Sequence, residues 1–255
     1  MKKVGKILAV AAFWLAVWQI AAMVVDSVHL LPDPWTVVRR VAELAGTGSF
    51  WLTCLTSLSR VLAGVGLAVV VAVPMATLTA FVPLADTLFS PLLTVVKSTP
   101  VASFIILALV FLGRDRVPLF IALLMVAPVV WGNVSAGIKG TDPALLAMCR
   151  VYRVPRGRVL RRVYLPATLP HFYSALRTSL GLAWKAGIAA EVLTAAKNSI
   201  GKEIFESKQY MQTVDLFAWT LVVIVLSLLI EKLVIALLSL RGRARRKEAA
   251  YAERV

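Results

Sequence analysis

The 255-residue chain is poor in the residues that build reactive centres. It holds two cysteines, Cys54 and Cys149, and two histidines, His29 and His171, all well separated. That inventory gives neither a disulfide framework nor a metal-ligand spacing, and the cysteines read as small packing residues. The chain lacks a G-x-x-x-x-G-K-[ST] run, because Gly201-Lys202 is followed by Glu203 and has no upstream glycine. A phosphate-cradling loop is therefore excluded here. The sequence brings no nucleophile, base and orienting group together, so neither an enzymatic site nor a cofactor is expected. Acidic residues are scarce as well: thirteen Asp and Glu stand against twenty-eight Lys and Arg, for a net charge of +15.

Apolar residues are abundant, at 60% of the chain. Ile7 to Val25 and Leu62 to Phe81 carry no charge, and each matches the ~20 residues that a helix needs to cross ~30 Å of hydrocarbon. Val101 to Leu112, Val117 to Ile138 and Leu216 to Ile230 are further apolar runs. The pattern defines an all-α, polytopic membrane protein with a single domain over 1–255. Lys2, Lys3 and Lys6 ahead of the first run suit a signal peptide, yet no small-x-small cleavage site leads into a soluble domain. The run is also long for a signal peptide's apolar region, so it reads as the first span.

The positive charge is distributed as membrane orientation requires. The 137–172 loop holds seven basic residues against one acid, and the tail from Arg241 holds six against two. With the basic amino terminus, these segments belong on the cytoplasmic side, and nucleic acid is not needed to explain the charge. Six spans follow, at roughly 7–25, 56–82, 87–112, 117–138, 174–195 and 215–239, with both termini inside. Asp33 and Pro34 start a short interfacial helix that runs to about Ala45. Pro83 and Asp86 mark an inner turn, and Gly113 to Arg116 an outer one.

The insert at 141–172 is longer and more patterned than a linker needs. Six arginines, Arg150, Arg153, Arg156, Arg158, Arg161 and Arg162, fall within thirteen residues. Thr141-Asp142-Pro143 is a helix start. Leu145, Met148, Cys149 and Tyr152 then share one helix face. Val154 to Gly157 reads as a turn. Val159, Leu160, Val163 and Tyr164 make a second apolar face, ended by Leu165-Pro166 and Pro170. From the residues alone, this helix-turn-helix fits a protein dock and a pair of helices lying on anionic lipid equally well.

The insert resembles the coupling loop of binding-protein-dependent ABC importer permeases, whose signature is Glu-Ala-Ala, three residues, Gly, nine residues, Ile-x-Leu-Pro. Aligned on Leu165-Pro166, Val163 takes the Ile position, Arg153 the Gly position and Ala147-Met148-Cys149 the Glu-Ala-Ala position. The Glu and the Gly are missing. Ala147 forms no ion pair, and Arg153 lacks glycine's tolerance of positive φ, so either Pro155 and Gly157 supply the bend or the docking geometry is shifted. LPDPWTVV, LTSLSRVLAGVGLAVVVAVPMA, KSTPVASFIILALVFLG, GLAWKAGIAAEVL and VDLFAWTLVVIVLS resemble, in order, the nitrate, sulfonate, taurine and bicarbonate branch over nearly the whole chain. The resemblance implies the type I permease fold, with the insert (Leu145, Ala147, Met148, Cys149, Arg150, Tyr152, Arg153, Gly157, Val163, Leu165 and Pro166) contacting the ATPase. It further implies a homodimer over two ATPase subunits that receives a small anionic solute from an extracytoplasmic binding protein.

Charged residues within spans face cavities or partners. Lys97-Ser98-Thr99-Pro100 interrupts the third span and is a candidate path lining, because a proline there frees backbone groups that need protein or water. Lys185 lies mid-span as a candidate site for an anion. Glu191 is about 240° around the helix from it at 100° per residue, so each needs a partner elsewhere. Arg60 and Arg177 are expected near cytoplasmic ends, where their side chains can snorkel. An ion-gradient-driven secondary transporter is the alternative, although that class commonly carries inverted repeats and none is visible.

Overall fold

The structure, a computed structural model, describes residues 2–25, 27 and 30–252, and the backbone alone for 2–4, 7, 8, 234, 235 and 237–252. The basic side chains of Lys2, Lys3 and the tail from Arg241, together with His29, lie outside the described residues.

The described residues are helical almost throughout. In order, the helices are α1 (Lys2–Val25), α2 (Pro34–Ala45), α3 (Gly48–Phe81), α4 (Pro83–Ser98), α5 (Val101–Leu112) and α6 (Val117–Lys139), followed by α7 (Pro143–Val151) and α8 (Arg156–Val159) of the insert. A π-helical segment (Leu160–Tyr164) joins α8 to α9 (Leu165–Thr194), and α10 (Ile200–Gln209) and α11 (Thr213–Ala252) complete the chain. Among the described residues, Gly48–Phe81, Val117–Lys139 and Thr213–Leu233 are long and apolar enough to cross a membrane; α4 and α5 are so only as a pair, bent by 105°. The bend falls at Thr99-Pro100, where the sequence breaks the third apolar run. Proline's missing N–H and its constraint on the preceding residue explain it.

The core is built from α3, α6 and α9, and small residues set its spacing. Ala68, Ala72 and Ala76 of α3, Ala122 of α6 and Ala183 and Ala190 of α9 are fully buried. A Cβ on Gly64 would stand 2.4 Å from the Leu119 carbonyl and 2.7 Å from the Ala122 Cβ, so the α3 and α6 backbones approach as closely as only glycine permits. Without a hydrophobic drive between spans in lipid, such close packing is the principal cohesive term. By contrast, α1, α4 and α5 expose most of their large apolar side chains.

At one end of this bundle lies the insert; at the opposite end lie the 113–116 turn and α10. Near that opposite end, Asp33 caps α2 by accepting from the Thr36 N–H at 3.0 Å. Arg40 of α2 pairs with Asp215 of α11. The second sequence-expected helix of the insert does not end at Leu165-Pro166 or Pro170. Instead, α8, the π segment and α9 run on as one rod, with helical dihedrals at Val159, Leu160, Tyr164 and Leu165. The Leu165 N–H reaches back to the Leu160 carbonyl, one residue beyond an α-turn, and this wider turn accommodates Pro166, which has no N–H to donate.

Candidate functional site

The insert begins as its residues dictate, with Asp142 accepting from the Ala144 N–H at 2.8 Å and Pro143 in the first turn. The end of α7 is a Schellman motif. The Val154 N–H donates to the Cys149 carbonyl at 2.9 Å and the Arg153 N–H to the Arg150 carbonyl at 3.1 Å, with Arg153 at φ +48°. This is the position where glycine ordinarily ends a helix, and an arginine there costs about 1 kcal/mol. The position aligned with the signature glycine thus keeps a glycine's conformation without being glycine. The bend is made at Arg153, with Pro155 following. Gly157 does not supply it, and Arg156 and Gly157 lie inside α8 rather than in the turn.

The α7 face divides in two. Leu145, Ala147, Met148 and Tyr152 are exposed, Tyr152 at 75%, whereas Cys149 is half-buried. Beside Cys149 an open groove of about 850 Å³ is lined by Arg150, Arg153 and Arg156 together with Leu146, Leu160, Tyr164 and Phe81. Tyr164 meets Phe81 edge-on, centroids 5.2 Å apart. The insert therefore touches the core through the α3 terminus as well as through the rod. Val163 is half-buried, while Leu165 and Pro166 are exposed. Nearby, Lys139 pairs with Asp86 at 2.7 Å, closing α6 onto α4. Phe81 and Leu146 carry no sequence signal of this role, since each falls within an ordinary apolar pattern.

At the opposite end a second constellation surrounds Glu191. This carboxylate is fully buried; it accepts from the Ser57 hydroxyl at 2.7 Å and from the Gly201 N–H at 3.3 Å, with Arg60 Nη1 at 3.7 Å. Ser57 Oγ in turn accepts from the Ile200 N–H at 2.9 Å. Arg60 also donates to the Lys197 carbonyl at 2.8 Å, and Asp115 accepts from the Lys197 N–H at 2.8 Å. Contact this close needs Gly201, whose Cβ would stand 2.3 Å from the Glu191 Cβ. Arg60, expected with Arg177 near a cytoplasmic end, sits instead with the 113–116 turn, at the end of the bundle opposite the insert, where Glu191, Asp115 and the Lys197 carbonyl surround it. Glu191 finds its partners on α3 and α10. Arg177 lies toward the insert end of α9 and lines a cavity of about 260 Å³ with Trp184 and Glu231.

Lys97 and Lys185 are both exposed, and neither has an acidic partner within 4 Å among the described residues. Lys97 Nζ would lie 3.7 Å from a Cβ on Gly132, beside Asn133 in a cavity of about 410 Å³. The Ser98 and Thr99 hydroxyls instead donate to their own helix, to the Thr94 carbonyl at 2.8 Å and the Val95 carbonyl at 2.7 Å. Pro100 opens α5. Lys185 shares an exposed α9 stripe with Leu182, Ala189 and Leu193. Among the described residues, no group of three or more His, Cys, Asp and Glu is placed to hold a metal ion.

A bundle of apolar helices with a sharply bent α4–α5 pair, two lysines without an acidic partner among the described residues and a protruding basic insert suits a membrane permease. The chain belongs to the family described as binding-protein-dependent transport system inner membrane component, which it matches over residues 64–246. It is 29% identical over 230 residues to the aliphatic sulfonates transport permease protein SsuC of Bacillus subtilis, covering 89% of this chain and 83% of that one. The taurine transport system permease protein TauC of Escherichia coli is 25% identical, with 89% and 84% covered. The bicarbonate transport system permease protein CmpB of Synechococcus elongatus is 26% identical, with 87% and 83% covered. Among solved structures, an inward-facing form of the MetNI methionine ABC transporter superposes with TM-score 0.60 at 15% identity, over 81% of this chain and 96% of that one. An amino acid ABC transporter crystallised with histidines gives 0.62 at 16%, with the same coverage. The fold is that of type I ABC importer permeases, and the chain is the permease subunit of such an importer.

Proposed function

We propose that two copies of this chain form the pore of an ATP-driven importer, docked on two ATPase subunits and fed by an extracytoplasmic binding protein. ATP hydrolysis resides on the separate ATPase, and the chain needs no cofactor. In this reading the chain crosses the membrane six times, with α4 and α5 together as one broken span, and both termini and the insert are cytoplasmic. The cargo is a small anion, as the names of SsuC, TauC and CmpB suggest for those relatives. Lys97 and Lys185, with the break at Ser98, Thr99 and Pro100, border its path, while Glu191 clamps the outer end. The insert residues Leu145, Ala147, Met148, Cys149, Arg150, Tyr152, Arg153, Gly157, Val163, Leu165 and Pro166 form the ATPase-facing surface and its mounting.

The observation that carries this reading is mechanical. The basic insert is continuous with α9 through a π segment and touches α3 through Tyr164 and Phe81, so displacement of the insert moves two core helices. Co-reconstitution with the ATPase and the binding protein in proteoliposomes tests it, with taurine, alkanesulfonates and bicarbonate as cargo. Uptake that requires ATP and the binding protein is expected. Uptake that ignores ATP and collapses with an ion gradient would overturn the reading in favour of a secondary transporter.

A further inference from the structure

We infer that the groove beside α7 is a carboxylate-receiving socket, which docks an acidic side chain of the ATPase subunit, so that at this contact the permease contributes the positive charge. The inference rests on the importer reading above.

Two independent observations support it. The first is charge. Arg150, Arg153 and Arg156 line one groove whose other walls are apolar and aromatic, and none of the three pairs with an acid among the described residues. Between Pro143 and Phe172 the chain has no Asp or Glu at all. A concavity with exposed guanidinium groups against apolar walls recognises a carboxylate carried beside an apolar side chain, because Arg offers a planar fork of donors that matches carboxylate geometry. Ala147 offers no acid of its own, so the attractive charge has to come from the partner.

The second observation is strain. Arg153 occupies the left-handed position that closes a Schellman motif, where glycine is more stable. Folding alone favours glycine at this site. An arginine in an unfavourable backbone conformation at the lining of the groove points to a task for that residue. Lipid headgroups could also neutralise arginines, but they would not require one of them at the one insert position with a positive φ.

The test uses the full-length permease in nanodiscs and its ATPase subunit, with affinity measured in neutral and in anionic lipid. Arg153→Gly and Arg153→Asn both accept a positive φ, so the loop should keep or raise its thermal midpoint. ATPase affinity in neutral lipid should nevertheless fall by about tenfold. Arg150→Glu/Arg153→Glu/Arg156→Glu should abolish binding, and a matched acid-to-Arg change on the ATPase should restore part of it. Wild-type affinity for both Arg153 variants would overturn the inference, as would a loss confined to anionic discs, which would assign the groove to lipid. A wild-type permease that binds no ABC ATPase in either lipid would overturn the importer reading itself.

Discussion

Arg60 Nη1 and Glu191 Oε1 stand 3.7 Å apart inside the bundle, and neither atom has a hydrogen-bond partner among the described residues. The pair is thus held by charge and by its neighbours: Ser57 and Gly201 on the acid, and the Lys197 carbonyl on the base. Removing Arg60 leaves the Glu191 carboxylate buried without a cation, at about 3 kcal/mol, whereas Arg60 without Glu191 keeps Asp115 at 3.8 Å. Glu191→Leu and Arg60→Met should each lower the thermal midpoint in detergent, and the double variant should recover part of the loss. A double variant as unstable as the sum of the singles would dismiss the pairing.

Gly64 and Gly66 lie on one helix but face different surroundings. A methyl group on Gly64 would collide with the Leu119 backbone, whereas one on Gly66 meets nothing within 4 Å. Gly64→Ala is therefore expected to cost about 1–3 kcal/mol through overpacking, and Gly66→Ala to be neutral or mildly stabilising. Equal thermal midpoints for the two variants would contradict the packing described for α3 and α6.

The hydrogen bonds from the Thr36 side chain and backbone hold the Asp33 carboxylate below its ordinary titration range. A depressed folded-state value means the cap's contribution is present above the unfolded-state value and lost as pH falls through the folded-state one. Stability should decline on acidification at the acid end of the scale. Asp33→Asn, which still accepts from the Thr36 N–H, should flatten that part of the profile; an unchanged acid limb would argue against this cap as a contributor.

Lys97→Met and Lys185→Met remove cations that have no acidic partner within the described chain. If they attract the cargo, the apparent half-saturation for an anionic solute should rise by roughly tenfold, ~1.4 kcal/mol, at normal expression. Unchanged transport by both variants would place the anion's path elsewhere.

Cys149 lies half-buried at the groove, whereas Cys54 is buried in the core. A maleimide of moderate size should label Cys149 in the free permease, and bound ATPase should suppress the labelling severalfold. Equal labelling with and without the ATPase would show that the groove stays open when the partner is engaged.

The sequence discloses what periodicity and punctuation encode. Asp33-Pro34, Asp142-Pro143 and Thr99-Pro100 mark helix limits because capping and proline chemistry are local, and all three fall where the helices begin or break. The charged loop is legible as an insert for the same reason. What pattern cannot carry is which helices meet. Ser57 joins Glu191, and Phe81 joins Tyr164, across long stretches of chain, and nothing at either position announces its partner. The persistence of the helix past Pro166 escapes sequence logic too, since a proline usually ends a helix and only the wider π turn before it lets the rod go on. Arg153 shows the limit most sharply: its residue type argues against a left-handed backbone that the surrounding Schellman bonds nonetheless impose.

The uninterrupted helix from Arg156 to Thr194 is roughly 58 Å long at ~1.5 Å per residue. Its basic end lies in the insert and its far end at the opposite face of the bundle. That far end carries the Glu191 clamp, which fastens it to α3, α10 and the 113–116 turn. One continuous helix thus joins the insert to the clamp, and the clamp ties its far end to the other elements around it.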